Sequence, residues 1–396
     1  MRSVTTVALV LLVATGAFAA VAVPGAGAST TAATQENDSS AYAGTHVAFE
    51  ASGNAVTDYR VGDEVVFERL AVESQSSHES AAGIGAGASL DAVANLEGAG
   101  LSLAAQTETR AEVDIEGSAS LAAHDTDRGI LTVHAGSESQ YAEMSLGSEA
   151  SASTDGDAVV VESESRSGTF LVVGEGEVTV TDEGTVTASL ESESTLVFRS
   201  YADGERSDDD REQEALIANG TATAEVYADA RDGAFVADIA NYGEDIAVET
   251  AQESAHRLEL TVERAQHEGT VVITSVSETA IENRDDLAVT VDGEAAVEVS
   301  SYSELEGAIG SDESRYMVQH ASETSASADV LVAVNHFSER TVAMDSSGTE
   351  NGGDGTGADD GGSDDDSGIG DADETPGFGI VAALAAVLAA GVRLRR

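Results

Sequence analysis

The chain contains no cysteine, no lysine, no tryptophan and only two prolines in 396 residues. Each absence removes a class of chemistry. Without cysteine there are no disulfides, thiolate metal sites or thiol nucleophiles. Without lysine there is neither a lysine-bearing phosphate loop nor a Schiff base. Positive charge is scarce as well: 18 arginines stand against 73 acids, a net charge of −55, with an isoelectric point of 4.1. A surface of that sign repels nucleic acid, so no nucleic-acid partner is expected. Eight histidines are scattered at 46, 78, 124, 134, 256, 267, 320 and 336, none in an H-E-x-x-H motif. Neither metal nor cofactor is expected. G-x-S-x-G and G-x-G-x-x-G loops are lacking too, and eight Tyr and eight Phe leave little surface for stacking sugars.

What is present is concentrated first at the ends. Met1-Arg2-Ser3 leads into apolar residues 4–23, then Pro24-Gly25-Ala26-Gly27-Ala28. One positive charge, an apolar run and small residues make up a secretory signal peptide, with cleavage expected at Ala26-x-Ala28. At the other end Pro376-Gly377-Phe378 precedes an apolar run through Val392 and the basic terminus Arg393-Leu394-Arg395-Arg396. That run is short for a bilayer span, and terminal arginines would hold it at the cytoplasmic side, leaving the remaining chain outside.

The tripartite tail resembles the PGF-CTERM sorting signal of archaeal surface proteins, especially those of extreme halophiles. The resemblance covers residues 376–396. It implies an archaeosortase-type enzyme that cuts near Pro376-Gly377-Phe378 and attaches a membrane lipid to the new C-terminus. Export machinery, which the signal peptide calls for, and surface-layer components are the other expected partners. A tail that is not processed would leave residues 378–392 as a thin transmembrane anchor. Either route places the protein on the extracellular face of the cell membrane, held at its C-terminus.

Charge supports the same setting. The four arginines at 2, 393, 395 and 396 belong to the two ends, so the body between them is more acidic than the whole chain. In dilute buffer such a body repels itself out of a compact state. Near 1 M salt the Debye length falls to about 3 Å and the repulsion is mostly screened.

Along the chain, residues 1–28 read as the signal peptide, 29–52 as a flexible lead, and 53–165 as an Ala/Gly-rich β-region of marginal order. Two β-modules follow at 166–267 and 268–344, then a Gly/Asp-rich disordered tether at 345–375. The strand signal is alternation at period two, with Leu258, Leu260 and Val262 on one face and Glu259, Thr261 and Glu263 on the other. Asp155-Gly156, Glu183-Gly184, Asp232-Gly233, Glu268-Gly269 and Asp292-Gly293 read as turns between strands. After residue 128 no segment before the tail has a convincing helical period. The expected fold is all-β, with antiparallel strands in tandem sandwich-like or solenoid-like modules. A faint internal repeat aligns residues 136–153 with 310–327, Tyr141 over Tyr316.

Candidate sites in the body are few. Asn37-Asp38-Ser39 and Asn219-Gly220-Thr221 are glycosylation acceptors. The acidic run Asp203–Glu214 reads as a solvated loop, and Asp125-x-Asp127-x-Gly129 as a thin hint of a cation site. No catalytic residue stands out. The expectation is an exported, glycosylated surface protein of an extreme halophile with a structural role and no catalysis. The alternatives are an extracellular module binding a divalent cation or solute, and a secreted hydrolase working through paired carboxylates.

Overall fold

The computed structural model describes residues 39–346 apart from 83–89, 91, 92, 94, 95, 203–205, 232, 233, 244, 255, 256, 267, 282–286, 321–326, 337 and 338. The expected signal peptide with Ala26 and Ala28, Asn37, residues 347–375 of the tether, and the sorting signal with Pro376, Gly377, Phe378, Arg393, Arg395 and Arg396 lie outside the described residues. Everything described belongs to one unit, residues 1–348.

In chain order the first half runs β1 (Ser39–Ala43), β2 (Val47–Ser52), β3 (Ala55–Val61), β4 (Glu64–Ser74), α1 (Gln75–Ala82), β5 (Leu101–Gln106), β6 (Arg110–Ile115), β7 (Ser120–His124) and β8 (Leu131–His134). It continues through β9 (Gln140–Leu146), β10 (Ser151–Asp155), β11 (Ala158–Glu162), β12 (Arg166–Val173), β13 (Gly176–Val180), β14 (Val186–Leu190) and β15 (Thr195–Ala202). These strands form two antiparallel sheets. The first is ordered β1-β2-β3-β4-β9-β14-β13 and the second β10-β11-β12-β15-β8-β7-β6-β5.

After α2 (Asp208–Ala218) the second half runs β16 (Ala222–Arg231), β17 (Ala234–Asn241), β18 (Ile246–Ser254), β19 (Arg257–Arg264), β20 (Glu268–Ser277), β21 (Ala288–Val291), β22 (Glu294–Ala295) and β23 (Val297–Glu298). It ends with α3 (Tyr302–Glu306), β24 (Arg315–His320), β25 (Ser327–His336) and β26 (Arg340–Asp345). The third sheet is β17-β16-β20-β25-β24-β23 and the fourth β18-β19-β26-β21-β22. Two pairings are parallel, β16 with β20 and β23 with β24, so the third sheet is mixed.

Side-chain alternation explains how the sheets stack. Phe170, Leu196 and Phe198 face the first sheet and join Tyr59, Phe67 and Met144 in one apolar core. Between them, Leu171 and Val197 point the other way, into a second core with Leu216, Ile217, Val271, Ile273, Leu331 and Ala333. In turn Val272, Val330, Val332 and Val334 face the fourth sheet and meet Leu258, Leu260, Val262 and Val342. The central strands of sheets two and three are therefore buried on both faces, which is why β15, β20 and β25 are almost continuously buried. Strand β19 lies in the outer fourth sheet and keeps strict in-out alternation.

Several expectations are corrected. Three helices occur among the described residues, and the run expected to be a loop, Asp203–Glu214, contains most of α2. Ser207 caps α2 by accepting from the Asp210 N–H, and the Asp210 carboxylate accepts in return from the Ser207 N–H. Asp208, Asp209 and Asp210 sit in its first turn, where the helix dipole favours negative charge. The transmembrane reading is not carried forward: no helix among the described residues is long and apolar enough to cross a membrane. The solenoid-like alternative finds no support in the strand orders.

The expected boundary at 165/166 falls in the turn between the paired strands β11 and β12. The two arms of the faint repeat take different places. Strand β9 sits inside the first sheet, while β24 pairs with β25 in the third. Of the turn dipeptides, Asp292-Gly293 has positive φ at both residues, 53° and 79°, and closes the β21–β22 hairpin. Glu268-Gly269 is instead the start of β20, where a Cβ on Gly269 would stand 2.4 Å from the Val334 and Asn335 carbonyls.

Candidate functional site: the buried polar seam

The core between sheets two and three is apolar in part and charged in part. On β15, Arg199 falls on the same face as Val197, and on β16 Glu225 lies among the buried residues opposite it. Both side chains are fully buried. Arg199 Nη2 donates to Glu225 Oε1 at 3.0 Å, and Arg128 Nη1 donates to the same oxygen at 2.7 Å. Tyr227 Oη donates to Oε1 at 2.7 Å and Tyr242 Oη to Oε2 at 2.5 Å. One carboxylate thus receives two guanidinium groups and two phenols.

The network extends around this centre. Arg128 Nη2 also donates to Asp329 Oδ2 at 2.5 Å. Gln213 of α2 accepts from Arg199 Nη2 and donates to Asp329 Oδ2, bridging the two pairs. Tyr201 Oη accepts from Arg199 and donates to Glu214 Oε1 at 2.6 Å, and Arg206 holds Glu214 and Asp155. Burial alone would push the Glu225 carboxyl up, but Arg199, Arg128 and the two phenols hold it down at about 2. Burial would lower the guanidinium pKa values of Arg128 and Arg199, but carboxylates override it and both lie well above the usual value. Burial raises the Tyr201, Tyr227 and Tyr242 phenols, so all three stay protonated donors.

A second clamp spans the same two halves of the chain. The fully buried Asp125 carboxylate accepts the backbone N–H groups of Thr45, His46 and Val47 at 2.7–2.8 Å. Arg231 of β16 reaches over to it, donating to Oδ2 at 3.0 Å and to the Asp125 carbonyl at 2.8 Å. The loop needs glycine at 44, since a Cβ there would lie 2.3 Å from Asp125 Oδ1. Beside it, His124 Nδ1 and Asp238 Oδ2 meet at 2.7 Å, both buried. The Asp125-x-Asp127-x-Gly129 pattern therefore marks a backbone-binding carboxylate, and among the described residues no cluster of three or more acids or histidines could hold a metal.

The other histidines are separate. His78 pairs with Glu73, and His134 Nδ1 meets Thr195 Oγ1 at 2.9 Å. Burial and His124 lower the His134 pKa to about 4, so it is neutral at pH 7. His256 and His267 lie outside the described residues, and for His320 only the backbone is described. Asn219 is exposed at the C-cap of α2, where its Oδ1 accepts from the Thr221 N–H at 2.9 Å.

Replacing Asp125 with Ala is expected to cost about 3–5 kcal/mol, because Arg231 and three loop N–H groups lose a buried anion. Thermal unfolding in constant high salt measures it. A fall no larger than that of an exposed Asp→Ala variant, such as Asp114→Ala, would show that the clamp is dispensable.

No protein-family model matches the chain, and no curated protein is similar to it. The seam therefore has to be interpreted from its own chemistry. It holds acids and bases in permanent pairs between packed sheets, with every carboxylate oxygen of Glu225 occupied. Such an arrangement can fix two layers against each other.

Proposed function

We propose that this is an exported structural protein of the cell surface, working in concentrated salt without catalysis. Its body would consist of two sandwich-like modules welded into one rigid piece. The observation that carries the reading is the seam. Exposed ion pairs are screened at high ionic strength, whereas pairs buried between sheets are screened much less. A protein that must keep two modules in fixed alignment in brine gains from placing its scarce arginines there. Arg128 and Arg199 meet Glu225, and Arg231 meets Asp125, each pair joining the first half of the chain to the second.

Shifted carboxyls favour this reading over a hydrolase. Glu225, Asp229 and Asp292 all lie below their ordinary values, opposite to the raised value a general acid requires. Export would follow from residues 1–28, retention at the surface from processing near Pro376-Gly377-Phe378, and an attached glycan from Asn219. Antibody against the folded body should label intact cells of a halophilic host, and mass spectrometry should find a mature chain starting after Ala28. Labelling only after lysis, together with an intact Met1 peptide, would overturn the proposal.

A further inference from the structure

We infer that the second sheet carries a self-assembly surface, where β5 of one copy adds as a strand to β10 of the next. Both are edge strands of that sheet, so among the described residues no strand pairs with the outer row of backbone groups of either. Their side chains carry little of the chain's acidity. Residues 98–107 carry no charge, nor do residues 150–154. One strand inward, β6 places Asp114 opposite Ser102 and Glu112 opposite Ala105, so the acidic coat stops at the edge. Edge strands of proteins that stay apart are usually guarded by charge or proline. These have Leu, Ala, Ser, Thr and Gln, apart from Asp155 at the turn end of β10, which is paired with Arg206.

The missing charge also selects the partner. A basic protein would be drawn to the carboxylates, away from these strands. Two copies of a chain at −55 can pair closely only where like charges do not come face to face. The backbone fits this pairing. Strand β10 returns into β11 through Gly156-Asp157, with Asp155 opposite Ala158. A two-residue hairpin hydrogen-bonds that closing pair, so alternation turns the N–H and C=O of Thr154 and Ala152 outward. On β5, the Glu116 N–H donates to the Gly100 carbonyl, so the N–H and C=O of Leu101 and Leu103 turn outward while their side chains pack against the first core. The Leu101 N–H is already held by the Gly53 carbonyl, and a bulge follows Leu103. The two open rows are both short and of similar length. Because they lie on different strands, the contact is heterologous and repeats as an open chain.

The test is light scattering of the full chain, in salt where circular dichroism shows β-structure, across a wide concentration range. Wild type should grow past a dimer as concentration rises. Thr154→Pro removes an outward donor at an edge position that tolerates proline, and should be monomeric. Added to wild type in less than equimolar amount, it should shorten the assemblies, because it can join a chain through β5 but not extend it. Should Thr154→Pro lose β-structure, Ala152→Pro serves the same purpose. Wild type that stays monomeric throughout overturns the inference. So does a folded variant that assembles as wild type does, or a dimer that survives the substitution.

Discussion

Glu225→Ala is expected to lower stability by about 3–5 kcal/mol, because it leaves Arg128 and Arg199 buried beside no counter-charge. Thermal unfolding in constant high salt should show a drop of about 5–8 °C for a body of this size. Glu225→Gln keeps an acceptor for the phenols but removes the charge, and should fall between the two. The carboxyl of Glu225 lies at about 2 in the folded chain against 4.5 for an ordinary glutamate. A depressed carboxyl contributes stability that is fully present above the unfolded pKa and is lost as pH falls from there through the folded one. The window is pH 4.5 down to 2, and the loss within it is about 3 kcal/mol. His134 acts at higher pH. Its folded pKa of about 4 against 6.5 means stability is lost between those values, as the unfolded state takes up a proton first. Acid unfolding should therefore begin below pH 6.5 and steepen below 4.5. In Glu225→Gln only the lower limb should flatten. An unchanged acid profile and an unfolding temperature equal to wild type would remove the seam from the account of stability.

Much of the fold was legible because burial on one face leaves a period-two pattern. Residues 258–263 alternate as expected, and β19 is buried on alternate residues. The stacking order was not legible, since a strand buried on both faces shows only an apolar run. Val271, Val272 and Ile273 are consecutive and fully buried, yet serve two different cores. Helix α2 was missed because acids dominated its reading, although Ser207 and Asp210 at capping-box spacing could have located its start. The seam was beyond reach for a different reason. Its partners are far apart in sequence, Arg128 from Asp329 by 201 residues and from Glu225 by 97. With 73 acids available, no spacing rule selects those two. The arginines offered the better signal: they are few, and an arginine inside an apolar strand, as in residues 195–201, has to find a buried anion.

Dilution from about 2 M salt to about 0.1 M is expected to abolish the β-structure seen by circular dichroism at pH 7. The Debye length lengthens from under about 3 Å to about 10 Å over that change, so surface carboxylates that ignored one another begin to repel. At −55 the chain has few arginines left to neutralise them, since Arg69, Arg128, Arg199, Arg206, Arg231, Arg264 and Arg340 are already bound to acids. The buried pairs respond in the opposite sense. Arg199 and Glu225 are out of contact with water, so lowering the salt strengthens them little and cannot offset repulsion spread over the whole surface. Two further measurements separate screening from specific ion binding. Sodium and potassium chlorides should restore the spectrum at similar ionic strength, and Glu225→Ala should need more salt than wild type to reach the same signal. A spectrum unchanged between the two salt concentrations would mean that packing of the three cores alone holds the body together.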